Sequence, residues 1–194
     1  ITEPIELLIE IKYYKKIINE LKPKKVLTYC YENLKKINTL CIFKFFYTIN
    51  HKYLKFNSLN TNFLKNKDLN KIVFIGKLNE YRRGIIKEFK EDIIIFEDKF
   101  EKEEWIEIIN KYQYFLNIHR RPNSRCFESM RIIPLLYNYC TVISENVNIE
   151  EEELYNDKNI YFFNYKEFKN KFEEIKKIKE DNIIKNRNNI NFNK

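Results

Sequence analysis

Several residue types and patterns are rare or absent in this sequence of 194 residues, and some of these absences exclude a class of protein or site. It contains no alanine and only two glycines, while Ile, Lys, Asn, Tyr and Phe are abundant. The abundant residues have AT-rich codons, so we interpret the bias as mutational pressure from an AT-rich genome rather than as a property of the fold. No apolar run approaches the roughly 20 residues that cross a bilayer, and no basic-then-apolar signal segment opens the chain.

Cysteine and histidine are also scarce, with four and two residues respectively. No pair of cysteines has the C-x-x-C spacing of zinc or redox sites, and with only two histidines a zinc site is not expected. Buried, reduced thiols are the default expectation for such cysteines, and the predicted location is cytoplasmic. The four cysteines are Cys30, Cys41, Cys126 and Cys140.

The composition that remains favours a folded domain with a strong positive charge. Hydrophobic residues make up 44% of the chain and charged residues 33%, so a core can form beneath a charged surface. The net charge of +8 reflects either the Lys-rich bias alone or an anionic ligand or partner, such as phosphate, nucleic acid or a membrane surface. Nucleic acid is disfavoured, because Lys and Glu are interspersed and no nucleic-acid-binding motif is present.

From Lys71 onward, strand and helix patterns alternate. Strands are predicted at Lys71–Gly76, Asp92–Phe96, Tyr114–Ile118, Thr141–Ser144 and Asn159–Phe163. Helices are predicted at Glu80–Lys90, Lys102–Lys111, Phe127–Tyr139, Glu150–Tyr155 and Tyr165–Ile184. Five strands separated by such helices predict an α/β fold, a Rossmann-like parallel sheet with helices on both faces.

The first 70 residues predict a reduced α/β segment followed by a linker. Ile5–Leu21 has a helical pattern, and Lys25–Cys30 and Cys41–Ile49 have strand patterns. Residues 51–69 are polar and without a clear period, which is typical of a linker. The predicted domains are therefore this incomplete segment (1–70), a Rossmann-like domain (71–185) and a frayed Asn-rich tail (186–194).

The first candidate site follows the first strand of the Rossmann-like domain. Gly76 at the strand end lets the backbone approach a ligand closely, and the start of the next helix offers free N–H groups to an anion. Lys77, Arg82 and Arg83 add full positive charges. The segment is neither G-x-G-x-x-G nor a P-loop, and the alternative is a glycine turn followed by a solvated basic helix.

Two further strands deliver polar side chains at their carboxyl ends, where open α/β sheets bind ligands. Asn117 and His119 close one strand, and Ser144 and Glu145 close the next. A lone histidine is more often structural, but its position beside two arginines favours a loop that faces a ligand. We expect Gly76, His119 and Ser144 to lie at one edge of the sheet.

A predicted helix between these two strands carries Glu128 and Arg131 three positions apart. An intrahelical ion pair is the simplest interpretation of that spacing. A carboxylate near a helix start can instead accept hydrogen bonds from both hydroxyls of a ribose. Both interpretations remain open on the sequence.

These motifs, in this order, resemble the C-terminal, donor-binding half of GT-B glycosyltransferases of the group 1 type and its CgeB-like relatives. Gly76-Lys77-Leu78 with Arg83-Gly84 is similar to the Gly-Arg-Leu…Lys-Gly loop of group 1 enzymes, with one extra residue between. Phe127-Glu128-Ser129-Met130 and Cys140-Thr141-Val142-Ile143 are similar to Leu-Glu-Ala-Met…Gly-x-Pro-Val-Val. The CgeB-like pattern, Asn-Ile-His before a Glu-x-x-Arg-Ile-x-Pro helix and a closing Ser-Glu, matches residues 117–145 better. The likeness covers about residues 71–180.

The resemblance implies a metal-independent glycosyltransferase that moves a sugar from a nucleotide-diphosphate sugar to an unknown glycan or protein acceptor, without a further cofactor. Basic side chains would neutralise the diphosphate in place of a metal. The implied roles are diphosphate binding by Gly76, Lys77 and Arg82 or Arg83, ribose binding by Glu128, and lining of the donor site by Asn117, His119, Arg131, Ser144 and Glu145. One departure is Arg120, which stands eight residues before Glu128, where many group 1 enzymes have the first glutamate of E-x7-E.

The sequence is also consistent with a protein that is not an enzyme. The chain could be a non-catalytic nucleotide- or protein-binding module that keeps the Rossmann-like scaffold, because a fold does not determine a function. About 70 residues precede the donor-like domain, and they offer no acceptor-side base.

Overall fold

The computed structural model describes residues 8–23, 26–28, 42–44, 67–87, 93–97, 102–155, 159–167, 170 and 174. Several sequence predictions therefore lie outside the described residues. The predicted linker over residues 51–66 and the tail at 186–194 lie outside them, as do the thiols of Cys30 and Cys41. So does the helix predicted over Tyr165–Ile184 beyond Glu167, apart from residues 170 and 174, which are helical. The first residues of the helix predicted at Ile5–Leu21, the last of that predicted at Glu80–Lys90, and parts of the strands predicted at Lys25–Cys30, Cys41–Ile49 and Asp92–Phe96 lie outside them too.

Five strands form one sheet in which every pairing is parallel. They are β3 (Asp68–Ile75), β4 (Ile93–Phe96), β5 (Tyr112–Asn117), β6 (Thr141–Glu145) and β7 (Ile160–Phe163). Two short strands before them, β1 (Val26–Thr28) and β2 (Ile42–Lys44), pair in parallel with each other. The helices are α1 (Leu8–Leu21), α2 (Glu80–Lys87), α3 (Lys102–Lys111), α4 (Ser129–Tyr137) and α5 (Ile149–Tyr155), with a 3-10 turn at Tyr165–Glu167. The predicted α/β fold with a Rossmann-like parallel sheet is confirmed.

The order of the strands across the sheet is β4-β3-β5-β6-β7. The chain therefore moves outward from β3 to β4 and then returns to the other side of β3 to add β5, β6 and β7. Open α/β sheets bind ligands outside the carboxyl ends of the strands, at such a reversal. Gly76, His119 and Ser144 lie at the carboxyl ends of β3, β5 and β6, as the sequence predicted. We call this side of the sheet, with the loops that follow β3, β5 and β6 and the end of β4, the carboxyl edge.

Helices cover both faces of the sheet. Successive side chains of each strand point to opposite faces, so each face forms a core of its own with the helices that cover it. On one face, side chains of α3 and α4 pack against Val73, Phe115 and Val142. On the other, Ile85 and Ile86 of α2 pack against Ile72, Phe74, Tyr114, Leu116 and Ile143. The central strand β5 is buried at every position. Burial of each such aliphatic or aromatic side chain contributes roughly 1.5–3 kcal/mol.

The amino ends of the strands are joined by a buried polar network. The Gln113 amide nitrogen donates to the Tyr139 carbonyl at 2.9 Å and to Thr141 Oγ1 at 3.1 Å. Lys67 Nζ lies 3.4 Å from the Asn138 carbonyl and 3.3 Å from Cys140 Sγ. Cys126 and Cys140 are both buried, as the sequence predicted. These contacts fix the edge of the sheet that lies opposite the candidate site.

Several element bounds differ from the prediction by one to three residues, and two of these differences have a clear physical cause. Helix α4 begins at Ser129 rather than Phe127, because Glu128 has φ −77° and ψ 64° and so precedes the helix. Strand β3 begins at Asp68, so the last two residues of the predicted linker belong to the sheet. The polar start of β3 explains that error, since it lacks the apolar residues from which a strand is recognised, and its pairing with β5 is irregular between Asp68 and Ile72.

Candidate functional site

The loop after β3 is held close to the end of β4 and to α4. Gly76 has φ +144°, a conformation that residues with a Cβ rarely adopt, and its N–H donates to the Phe96 carbonyl at 3.0 Å. A Cβ at this position would lie 3.4 Å from Arg131 Nη2 and 3.7 Å from Phe74 Cζ. The glycine therefore brings the loop backbone next to a guanidinium group.

We expect Gly76→Ala to destabilise the protein by about 1–3 kcal/mol, because a residue with a Cβ is strained at this φ. Gly84→Ala is the matched control, since nothing lies within 4 Å of a Cβ built there. In a helix that change should stabilise by about 0.5–1 kcal/mol. Denaturant unfolding of both variants measures the difference. Equal effects would show that the Gly76 conformation is not constrained.

Helix α2 begins at an asparagine cap that also connects two loops. Asn79 Oδ1 accepts a hydrogen bond from the Arg82 N–H at 2.9 Å, the arrangement of an N-cap residue. Asn79 Nδ2 donates to the Arg120 carbonyl at 2.6 Å. The start of α2 is thus fixed against the loop that follows β5.

Arg82 is buried beneath the carboxyl edge, with only 5% of its surface exposed. Its Nε donates to the carbonyls of Ile118 at 3.0 Å and His119 at 3.2 Å, and its Nη1 donates to the Lys77 carbonyl at 2.9 Å. The guanidinium carbon lies 5.5 Å from the centre of the Phe74 ring. Arg82 therefore holds together the loops after β3 and β5, a positioning role that differs from direct contact with a diphosphate.

Burial lowers the pKa of the Arg82 guanidinium, and the nearby charges act in both directions. The Glu128 carboxylate raises that pKa, while the cations Arg131 and Arg120 lower it and Glu145 raises it. We call Arg82, Arg120 and Arg131 the arginine cluster. Mutual repulsion within this cluster would be relieved by a bound anion.

Glu128 and Arg131 form the ion pair that their spacing allows, and Arg82 joins it. Arg131 Nη1 lies 2.9 Å from Glu128 Oε2, and Arg82 Nη2 lies 3.5 Å from Glu128 Oε1. Arg131 Nη1 also donates to Asn117 Oδ1 at 3.2 Å, and Asn117 Nδ2 donates to Ser144 Oγ at 3.0 Å. Asn117 and Ser144 are almost fully buried. One chain of polar contacts thus runs from the first turn of α4 across the ends of β5 and β6.

Glu145 is a second junction between loops. Its Oε1 accepts from the Tyr81 hydroxyl at 2.5 Å, and its Oε2 accepts from the His119 backbone N–H at 2.6 Å. The His119 ring lies with Nε2 3.1 Å from the Asn146 carbonyl, while its buried Nδ1 has no hydrogen-bond partner. Both carboxylate oxygens of Glu145, and the backbone nitrogen and ring Nε2 of His119, therefore already have hydrogen-bond partners within the protein.

The exposed surface of the carboxyl edge carries further cations. Lys77, Arg120 and Arg125 are exposed, and the Arg83 side chain is 64% exposed. Arg83 Nη2 lies 3.7 Å from Glu97 Oε1, and the same oxygen accepts from the Leu78 N–H at 3.3 Å. Arg131 and Glu128 are partly buried, with side-chain exposures of 23% and 18%. These groups are the ones that a ligand could reach.

All the site residues predicted from the sequence lie at the carboxyl edge, but they fall into two groups. Gly76, Arg82, Asn117, His119, Ser144 and Glu145 are buried and hydrogen-bonded to other protein groups. Lys77, Arg83, Glu128 and Arg131 remain open to solvent, fully or in part. Sequence reasoning missed Asn79, Tyr81 and Glu97. Asn79 could have been found as an Asn before a helix start, and Glu97 by applying the strand-end rule to β4, whereas no signal marks Tyr81.

Comparison with protein-family models, with curated proteins and with solved structures gave no match. Within the described part of the chain, no helix has both the length and the apolar character required to span a membrane. Among the same residues, no group of three or more His, Cys, Asp or Glu side chains is arranged to hold a metal ion. Any function must therefore be argued from the residues of the carboxyl edge.

Proposed function

We propose that this α/β domain binds the donor of a nucleotide-sugar-dependent glycosyltransferase, with the nucleotide diphosphate at the carboxyl edge between β3 and β5. The arginine cluster at the reversal of strand order carries the proposal. Burial lowers the pKa of Arg82 and the nearby Arg131 and Arg120 cations lower it further, while the Glu128 and Glu145 carboxylates raise it. Three arginines thus face two carboxylates, and a diphosphate would add negative charge to this cluster. Cationic side chains at this density suit a ligand with several negative charges.

The exposed cations are the best candidates for direct contact with the diphosphate. Arg131 Nη2 lies beside the backbone of Gly76, so one phosphate could contact both that guanidinium and the glycine loop. Lys77 and Arg83 approach the same loop from solvent. Arg82 would act from beneath by fixing the carbonyls that shape the loop. This refines the sequence interpretation, in which Arg82 and Arg83 were interchangeable.

Glu128 can bind a ribose while it remains paired with arginine. A carboxylate has about four lone-pair sites, and the two guanidinium contacts use one on each oxygen. The side chain is partly exposed and precedes the first turn of α4, so the hydroxyls of a ribose could donate to the remaining sites. The ion pair would then hold the carboxylate in position rather than compete with the ligand.

The chemical contribution of such a site would be stabilisation of the leaving group. In sugar transfer the oxygen of an acceptor hydroxyl becomes bonded to the anomeric carbon and its proton passes to the released diphosphate or to solvent, while the bond from that carbon to the diphosphate oxygen breaks. The electron pair leaves with the nucleoside diphosphate, which gains negative charge. Preorganised guanidinium groups stabilise that charge without reorganisation, and their fixed positions orient the donor.

A non-catalytic binding module is the alternative, and one observation favours it. The buried polar side chains Asn117, Ser144 and Glu145 are hydrogen-bonded within the protein, so their arrangement is explained by folding alone. Turnover distinguishes the two functions. A glycosyltransferase should release nucleoside diphosphate from one of a panel of nucleotide sugars, whereas a binding module should bind without release.

The test of the ligand class is Glu128→Gln, with Glu167→Gln on the exposed 3-10 turn as control. We expect the Glu128 variant to bind a nucleoside diphosphate about tenfold more weakly, the loss of one charge-assisted bond to ribose. The control should bind like the wild type. Calorimetric titration with uridine, guanosine and adenosine diphosphates measures both. Equal affinity of the two variants for every diphosphate would refute the ribose role.

A further inference from the structure

The Glu97 carboxylate is bound by two donors at the loop after β3, the Leu78 N–H and the Arg83 guanidinium. Glu97 follows the last residue of β4, and its Oε1 accepts from the Leu78 N–H at 3.3 Å while lying 3.7 Å from Arg83 Nη2. A backbone N–H and a guanidinium that converge on one oxygen are the donors with which proteins bind phosphate. These donors belong to the loop and the first turn of α2 to which the diphosphate is assigned. The protein's own carboxylate thus occupies part of the proposed phosphate position.

The contact of Glu97 is weak enough to be exchanged. The Arg83 and Glu97 side chains are 64% and 40% exposed, and ion pairs at the surface contribute little because water and salt screen them. Glu145 offers a contrast, because both of its oxygens are buried and bonded at 2.5 and 2.6 Å. A phosphate brings more charge and more acceptor oxygens than a carboxylate, so it can replace Glu97 at these donors but not Glu145.

We propose that Glu97 is an internal competitor of the donor diphosphate, displaced from Leu78 and Arg83 when the ligand binds. The proposal rests on the proposed function, since it takes the carboxyl edge as the diphosphate site. Glu97 would then limit the affinity of the site and favour release of the nucleoside diphosphate product. When the nucleoside diphosphate leaves, the Glu97 carboxylate again accepts from the Leu78 N–H and the Arg83 guanidinium. These donors are then not left without an acceptor, which lowers the free energy required for release.

The experiment compares Glu97→Gln with Glu107→Gln, which removes the same charge from an exposed position on α3. Glutamine keeps an acceptor for the Leu78 N–H, so only the charge next to Arg83 is lost. We expect Glu97→Gln to bind inorganic pyrophosphate and uridine diphosphate about two- to fivefold more tightly than the wild type, by calorimetry at low salt. The control should be unchanged, and the gain should vanish in a Glu97→Gln, Arg83→Ala double variant.

Wild-type affinity for pyrophosphate in the Glu97 variant, or an equal gain in the control, would overturn the proposal. Absence of pyrophosphate binding in both proteins would overturn it as well. Failure of the proposed function has a different signature. If the Glu97 variant gains affinity for pyrophosphate, but a nucleoside adds none and no nucleotide sugar is turned over, the competitor role stands and the glycosyltransferase does not.

Discussion

Replacing Arg82 by Met should lower the free energy of unfolding by about 3–5 kcal/mol, the range for breaking a buried ion pair by removing one partner. The Arg82 residue is 5% exposed, and its carbonyl acceptors at Lys77, Ile118 and His119 would be left without this donor. Glu128 would lose one of its two cations. Methionine fills much of the volume, so the loss reports on polar contacts more than on a cavity. Urea unfolding monitored by circular dichroism measures the change.

Arg83→Met is the control for this prediction, because it makes the same chemical change at the next residue. Arg83 is largely exposed and pairs with Glu97 at 3.7 Å, so its replacement should shift stability by no more than about 0.5 kcal/mol. If the two variants were equally stable, the positioning role of Arg82 would be wrong. Arg82 would then return to the set of direct diphosphate ligands.

Glu145→Leu should destabilise the protein by about 3 kcal/mol. The change leaves two donors at the carboxyl edge, the Tyr81 hydroxyl and the His119 N–H, without the carboxylate that accepts from them. Glu145 lies in β6 and is 6% exposed, and the His119 residue that donates to it is 2% exposed. Thermal and urea unfolding both measure the loss.

Two other variants test why Glu145→Leu is expected to lower the stability. Glu145→Gln keeps one acceptor oxygen, so its stability should lie between those of the wild type and Glu145→Leu. Glu153→Leu, at an exposed position of α5, tests whether removal of a negative charge alone matters, and it should be nearly neutral. A loss in Glu153→Leu as large as in Glu145→Leu would point to net charge instead of the hydrogen bonds.

The order of elements could be predicted from the sequence because each strand of the sheet has a compact apolar signal. Ile93–Phe96 and Tyr112–Asn117 are examples, and the strand-end rule then placed Gly76, His119 and Ser144 at one edge. The start of β3 could not be predicted, since Asp68 and Asn70 are residues typical of loops. The N–H of Asn70 even donates to Asp68 Oδ1 at 2.8 Å, a local bond that sequence patterns associate with turns.

The difference between Arg82 and Arg83 was within reach of the sequence. Arg82 precedes the buried Ile85 and Ile86 by three and four residues, so it lies on the same face of α2, whereas Arg83 does not. The spacing does not predict which groups accept hydrogen bonds from Arg82, namely the carbonyls of Lys77, Ile118 and His119. Those carbonyls come from the loops after β3 and β5, which are brought together only by the pairing of the two strands.

The position of β4 gives the carboxyl edge two halves of unequal rigidity. In the five-stranded sheet, β5 is paired on both sides and buried throughout, so amide hydrogens there should exchange with solvent only through global unfolding. β4 is four residues long, pairs within this sheet only with β3 and is partly exposed. Such a strand opens locally at low cost. The Phe96 carbonyl, which accepts from the Gly76 N–H, and the Glu97 carboxylate both lie at the end of β4. Local opening of β4 would therefore move these two groups, while Asn117 and Ser144 at the ends of β5 and β6 stay in place.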